Sequence, residues 1–244
     1  MIGPSLDLTV ALPAYLEEEN LRILLPRLEA TLKRMAISYE ILIVDTETPL
    51  DHTADVCRGE NVRYLNRKGG NAFGNAVRTG IDEARGRRIL FMDADGSHTP
   101  EFIPELYSRV NQADVVIASR YVEGGFTENS RALVLMSLAL NMTYSIVLGL
   151  KCKDVSNSFK IYRADQLKEL ELTCQNFDIV EEILFKLRVL NPGLTIVEVP
   201  FSFKKRMFGE TKRNLVVFIM TYVMTILKLR FMPVRRKNSD IKEL

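Results

Sequence analysis

Asp93 and Asp95 stand one residue apart at the end of the apolar run Ile89-Leu90-Phe91-Met92. Two like charges this close repel unless a cation lies between them. Hard oxygen ligands of this kind suit Mg²⁺ or Mn²⁺, held jointly with the phosphates of a substrate. A plainer reading is a strand end followed by a helix start, because Asp, Ser and Thr cap helices and Pro100 suits a first turn. That accounts for Thr99-Pro100, but not for the paired carboxylates.

The elements around this pair alternate. Leu8 to Leu12, Glu40 to Val44, Asn61 to Leu65, Arg88 to Met92 and Asp114 to Ser119 read as strands. Glu18 to Arg34, Ala72 to Ala84 and Pro100 to Asn111 between them read as helices. Near-continuous apolar strands fit an α/β fold, with a parallel sheet covered on both faces. Ligands of such sheets bind beyond the carboxyl ends of the strands. Pro13-Ala14-Tyr15, Asp45 and Asp93 all fall there, which strengthens the metal reading. In the second half, Lys160 to Tyr162 and Thr195 to Val199 are expected strands. Ile179 to Leu190 is an expected helix, stopped by Asn191-Pro192-Gly193, and Leu215 to Leu229 another apolar one.

The 244 residues allow one large domain or two small ones; 47% are hydrophobic and 26% charged, which excludes a disordered chain. A net charge of +2 gives no global signal for nucleic acid. The excess of basic residues gathers near the C-terminus, in Lys204 to Arg206, Lys212-Arg213 and Arg230 to Lys237. Such a tail suits either an anionic membrane surface or plain solvent. Residues 132–150 carry no charge and are just long enough to span a bilayer. Ser137, Asn141, Thr143 and Ser145 interrupt them, so an interfacial or buried helix is the expectation. Cys57, Cys152 and Cys174 have no metal or redox spacing, and no signal peptide precedes the first strand, so reduced thiols in the cytoplasm are expected.

Taken together, the motifs resemble inverting nucleotide-sugar glycosyltransferases of family 2, with the GT-A fold. Within that family the chain looks most like dolichyl- or polyprenyl-phosphate sugar transferases. The resemblance runs over residues 6–214. It implies a Rossmann-like, mostly parallel sheet in a transferase domain 1–214, followed by an apolar interfacial helix 215–232 and a basic, polar tail 233–244. Its strongest point is Asp93-Ala94-Asp95-Gly96-Ser97-His98-Thr99-Pro100, which implies that Asp93, Asp95 and Ser97 hold Mg²⁺ or Mn²⁺. Leu12-Pro13-Ala14-Tyr15-Leu16-Glu17 resembles the family's P-A-Y-N-E loop, with Leu16 for Asn, and implies that Pro13, Tyr15 and Glu17 cradle the nucleotide. Val44-Asp45-Thr46 resembles V-D-D, with Thr46 for the second Asp, and places Asp45 on base or ribose. Arg67-Lys68-Gly69-Gly70-Asn71-Ala72-Phe73-Gly74 is similar to the family's glycine-rich loop. There Gly74 would let the backbone approach the donor, and Arg67 or Lys68 would neutralise phosphate.

On the acceptor side, Ser119-Arg120-Tyr121-Val122 and Arg131 match positions that imply two guanidinium groups on a lipid phosphate. Asp154 to Phe159 stands for D-x-T-S-G-F, with Ser158 for Gly. Asp178 and Glu182, four apart on one helical face, are either general-base candidates or acids at a helix start. Arg206 and Lys212 would clamp the pyrophosphate in a closing loop. The implied partners are a UDP- or GDP-sugar, a lipid-phosphate acceptor, the cytoplasmic face of a membrane by peripheral contact, and an anchoring protein. A saccharide hydroxyl is the alternative acceptor, and a nucleotide-sugar-binding protein without turnover is the alternative class.

Overall fold

The apolar runs become sheet strands in the order expected. A computed structural model describes residues 6–59, 61–204 and 224–237. In it β1 (Leu6–Pro13), β2 (Tyr39–Asp45), β3 (Val62–Asn66) and β4 (Gly86–Phe91) pair in parallel, in the order β3-β2-β1-β4. The sheet continues through β7 (Lys160–Arg163), β5 (Val115–Ser119) and β8 (Ile196–Pro200). Phe126–Thr127 (β6) and Ser202–Phe203 (β9) form a separate parallel pair.

Side chains alternate between the two faces, as the strand period of two requires. Leu8, Val10, Leu12, Leu90 and Met92 enter one core with α1 (Glu18–Lys33) and α4 (Ile103–Tyr107). Ala11, Ile89, Phe91, Val115 and Ile117 enter the other, with α3 (Phe73–Glu83) and α7 (Ile179–Leu190). Both faces are therefore covered, which is why the strands read as unbroken apolar runs. Short helices α2 (Thr53–Val56) and α6 (Ala164–Lys168) complete the connections.

Strand β7 departs from the parallel expectation and runs antiparallel to both β4 and β5. It begins at the carboxyl edge of the sheet, where Asn157 donates to the carbonyl of Ala118 at 2.6 Å, so it can only run downward. Two antiparallel pairings in succession leave β5 and β8 pointing the same way as β1, β2 and β4. Six carboxyl ends, those of β1 to β5 and of β8, thus share one edge. The helix expected over Pro100 to Asn111 is shorter: a 3₁₀ turn, Pro100–Phe102, leads into α4. Pro104 lacks an N–H at the second helical position, and beyond Tyr107 the amides of Arg109 and Val110 bond only three residues back.

The uncharged run is α5 (Arg131–Leu148), closed by Gly149 in the left-handed region at φ 66°. Asn141, Tyr144 and Leu148 are buried on one side, whereas Leu135, Met142 and Ile146 are exposed on the other. By length and composition α5 could cross a membrane; its C-terminal part docks on the second core through Tyr144, Val147 and Leu148. Residues 224–231 are helical and bury Ile226 and Leu229. The rest of the helix expected over Leu215 to Leu229 lies outside the described residues.

Candidate active site

The carboxyl edge gathers most of the expected residues, though not always in the expected role. After β4, the buried Asp95 carboxylate accepts from the Ser97 amide at 3.0 Å and the Ser97 hydroxyl at 2.6 Å. Ser97 is itself buried, so it orients Asp95 rather than standing free as a ligand. Asp93 is more open, with its side chain 27% exposed, and its Oδ1 accepts from the Ser158 hydroxyl at 2.9 Å. His98 lies fully buried beneath the pair. Its Nδ1 accepts the Asp93 amide at 3.0 Å, so Nε2 carries the proton and donates to Asn157 Oδ1 at 3.1 Å. Burial pulls the His98 pKa down against the pull of Asp93 and Asp95, which keeps the ring neutral. The ring stacks on Phe159 with centroids 4.6 Å apart.

Two carboxylates and neighbouring oxygens, with one carboxylate reaching solvent, fit a hard divalent cation that takes its remaining ligands from water and diphosphate. Among the described residues no group of three His, Cys, Asp or Glu forms a self-sufficient metal cage.

Of the residues expected to hold a nucleotide, Pro13 ends β1 and Tyr15, just beyond it, is exposed. Leu16 adopts φ 57°, and Glu17 precedes α1 and accepts from Asn20 at 2.6 Å. Asp45, at the end of β2, is buried, and both its oxygens are engaged. Tyr64 donates to Oδ2 at 2.9 Å, and the Thr46 amide to Oδ1 at 2.7 Å. Burial, then the Asp45 bond, pushes the Tyr64 hydroxyl up to about 12. Thr46 turns its own hydroxyl to the Thr48 carbonyl at 2.7 Å.

The glycine-rich loop carries three corrections. Arg67 is buried and spends its guanidinium on the main-chain carbonyls of Asp45, Asn71, Ala72 and Ala14, so it braces the cleft floor rather than meeting phosphate. Lys68 is 82% exposed and pairs at 3.4 Å with Glu83, at the far end of α3 from the strand ends. The close approach at Gly74 is to the protein itself. A Cβ there would stand 2.3 Å from the Cys174 carbonyl, and its amide donates to the Gln175 carbonyl at 2.6 Å.

Of the residues expected to meet an acceptor, Arg120 follows β5 and forms a bidentate pair with the buried Asp154, at 2.7 and 2.8 Å. It also donates to Ser156 Oγ at 3.1 Å and lies over the rings of Tyr121 and Phe203. Gly125 packs back on this turn, where a Cβ would meet the Arg120 carbonyl at 2.7 Å. Arg131 opens α5 and is exposed.

The expected acids of α7 are turned inward. Glu182 is buried and accepts from Cys174 N at 2.8 Å, Thr173 N and Oγ1 at 2.9 and 3.0 Å, and Lys186 Nζ at 2.8 Å. Burial alone would raise its carboxyl, but the bonds from Lys186, Cys174 and Thr173 outweigh it and hold the group low. Its bonding is that of an anchor between α7 and the 173–174 segment. Asp178 accepts from the Asn176 amide at 2.9 Å and pairs with Lys228 of the 224–231 helix at 3.3 Å. Glu181 is buried beside Lys160, and burial raises its carboxyl. Arg206 and Lys212 lie outside the described residues.

Ser158, His98, Asn157, Asp154 and Tyr64 shape the site without having been assigned any part in it. Only the motif around Asp93 signalled His98, and Ser158 stood out merely as a departure from Gly.

The family model "Glycosyl transferase family 2" matches residues 9–171. Dolichol-phosphate mannosyltransferase of Pyrococcus furiosus is 33% identical over 215 residues, covering 85% of this chain and 59% of that protein. The chain thus spans less than two thirds of that relative's length. Undecaprenyl-phosphate mannosyltransferase of Micrococcus luteus is 34% identical over 219 residues, covering 83% of this chain and 86% of the relative. Polyprenol monophosphomannose synthase of Mycolicibacterium smegmatis is 32% identical over 226 residues, with 87% and 83% covered. Among solved structures, glucosyl-3-phosphoglycerate synthase from Mycobacterium tuberculosis, in complex with Mn²⁺, UDP and phosphoglyceric acid, superposes with a TM-score of 0.69. It covers 93% of this chain and 80% of that one at 15% identity, a likeness of fold.

Proposed function

The chain belongs to glycosyl transferase family 2, and on that footing we propose that it moves a hexose, with inversion, from a nucleotide sugar to a polyprenyl phosphate at the cytoplasmic face of a membrane. The observation that carries this is the 32–34% identity to three polyprenyl-type phosphate mannosyltransferases across most of the chain. Mannose is therefore the first sugar to test.

A divalent cation bound at Asp93 and Asp95 would neutralise charge on the departing nucleoside diphosphate. Ser97 and Ser158 hold the two carboxylates in place for it. Tyr15 and Glu17 border the nucleotide side of the cleft. A phosphate acceptor has a second pKa near about 6, so it arrives largely ionised and needs no strong base. This agrees with the inward commitment of Glu182 and the ion pair of Asp178, which leave α7 poorly equipped to deprotonate a saccharide hydroxyl. Arg120, and Arg131 at the start of α5, orient the acceptor phosphate. The exposed stripe of α5 supplies the membrane contact, and no anchoring subunit is invoked.

The test is a transfer assay with UDP- and GDP-hexoses, Mn²⁺ or Mg²⁺, and a short polyprenyl phosphate. The expected result is metal-dependent transfer to the lipid phosphate, reduced on the order of 10²-fold in Asp93→Asn. Donor hydrolysis without lipid transfer would favour a saccharide acceptor. Nucleotide binding without any turnover would favour a binding protein.

A further inference from the structure

We infer that Asn141 is a positioning residue that ties the seat of α5 to the loop 154–158, and through that loop to Arg120 and Asp93. The inference rests on the transferase reading above. Asn141 lies in the middle of an apolar helix and is 1% exposed. An amide there costs helix propensity, and its burial is unfavourable unless every polar atom is bonded. Packing alone would be served by an apolar residue.

Both ends of the carboxamide are engaged. Oδ1 accepts the Ser156 amide at 2.9 Å, and Nδ2 donates to Ser156 Oγ at 3.1 Å and to the Ser137 carbonyl at 2.8 Å. Ser156 Oγ accepts from Arg120 as well, at 3.1 Å. One hydroxyl thus joins α5 to the guanidinium that faces the acceptor side.

The neighbours of Ser156 extend the link. Asp154 grips Arg120, Asn157 meets His98, and Ser158 donates to Asp93. Lys160, fully buried, braces the loop from below through the carbonyls of Val155 and Asn157. Four side chains of a five-residue loop are therefore bonded to Arg120, Asn141, His98 and Asp93. A segment bonded so fully moves as a unit, and a shift of α5 is passed to Arg120 first.

The measurement is steady-state transfer by full-length Asn141→Ala and Asn141→Leu, with rates expressed per Mn²⁺-dependent nucleotide-binding site. The second variant refills the volume should the first fail to fold. We expect acceptor KM to rise and kcat to fall by about tenfold each, with donor KM moving less than about twofold. Ser156→Ala should act in the same direction and combine non-additively with Asn141→Leu. Unchanged acceptor KM and kcat per site would overturn the inference. Hydrogen exchange gives a readout without turnover. Amides of 154–158 should lose protection in Asn141→Leu while those of α5 keep it, and unchanged protection of the loop would also overturn the inference. If the parent turns over no nucleotide sugar, the transferase reading fails, and the exchange result still decides the coupling.

Discussion

Glu182 shows how a residue's type can mislead about its task. An acid beside the expected site invites the role of base, yet this one is buried and committed to Thr173, Cys174 and Lys186. Glu182→Gln removes the charge that balances the buried Lys186. It should cost about 3 kcal/mol of stability, read as a lower denaturation midpoint, with turnover per folded molecule nearly unchanged. A hundredfold loss of turnover at unchanged stability would restore the base. Ser158 makes the opposite case, because a departure from the family pattern takes up work at the site. Its hydroxyl fixes one oxygen of Asp93. Ser158→Gly should weaken Mn²⁺ binding about tenfold, measured by titration with the free enzyme; equal affinity would show the bond to be incidental.

Helix α3 and the 173–175 segment touch backbone to backbone at Gly74. Gly74→Ala should destabilise by about 1–3 kcal/mol, the usual cost of overpacking, and thermal denaturation would register it. Strands β5 and β8 are joined differently. Asp114, before β5, accepts from the Thr195 amide and hydroxyl before β8, at 3.0 and 2.8 Å, and from Gln166 at 2.9 Å. Burial opposes its charge, but those bonds outweigh it and hold the carboxyl below its ordinary range. The unfolded chain therefore takes up this proton first as pH falls. The stability Asp114 lends is complete above about pH 4 and drains away below it. Denaturation of Asp114→Asn against the parent should show a gap at pH 7 that closes toward pH 3.

These elements also mark what the sequence could disclose. Apolar runs located β1, β2, β4 and β5 because a doubly covered strand has no polar face to hide. The run at Ile179 to Leu190 became α7 without adjustment. The direction of β7 was not legible, since it depends on where the 154–158 loop docks. Asp93 and Asp95 were legible because two like charges held together at a strand end call for a cation between them. The surroundings of Arg67, Lys68 and Gly74 are not legible, because they depend on which carbonyls and carboxylates the fold brings near: Ala14 and Asp45 for Arg67, Glu83 for Lys68 and Cys174 for Gly74.

For the molecule as a whole, the proposed function makes the exposed stripe of Leu135, Met142 and Ile146 the surface offered to lipid. Leu135→Glu combined with Ile146→Glu should lower binding to anionic vesicles at least about tenfold, since each apolar side chain transferred contributes about 1.5–3 kcal/mol when fully buried. Co-sedimentation reads this directly, and undiminished binding would move the contact to another face. At the opposite pole of exposure stands Arg67. Its guanidinium finds partners only when the ends of β1 and β2 and the turn at Asn71 and Ala72 have all arrived. Burying it sooner would strand a cation in apolar surroundings. Because one guanidinium bonds all three, a local opening there should release the three segments together. A chain without Arg67 could keep every strand and lose that simultaneity.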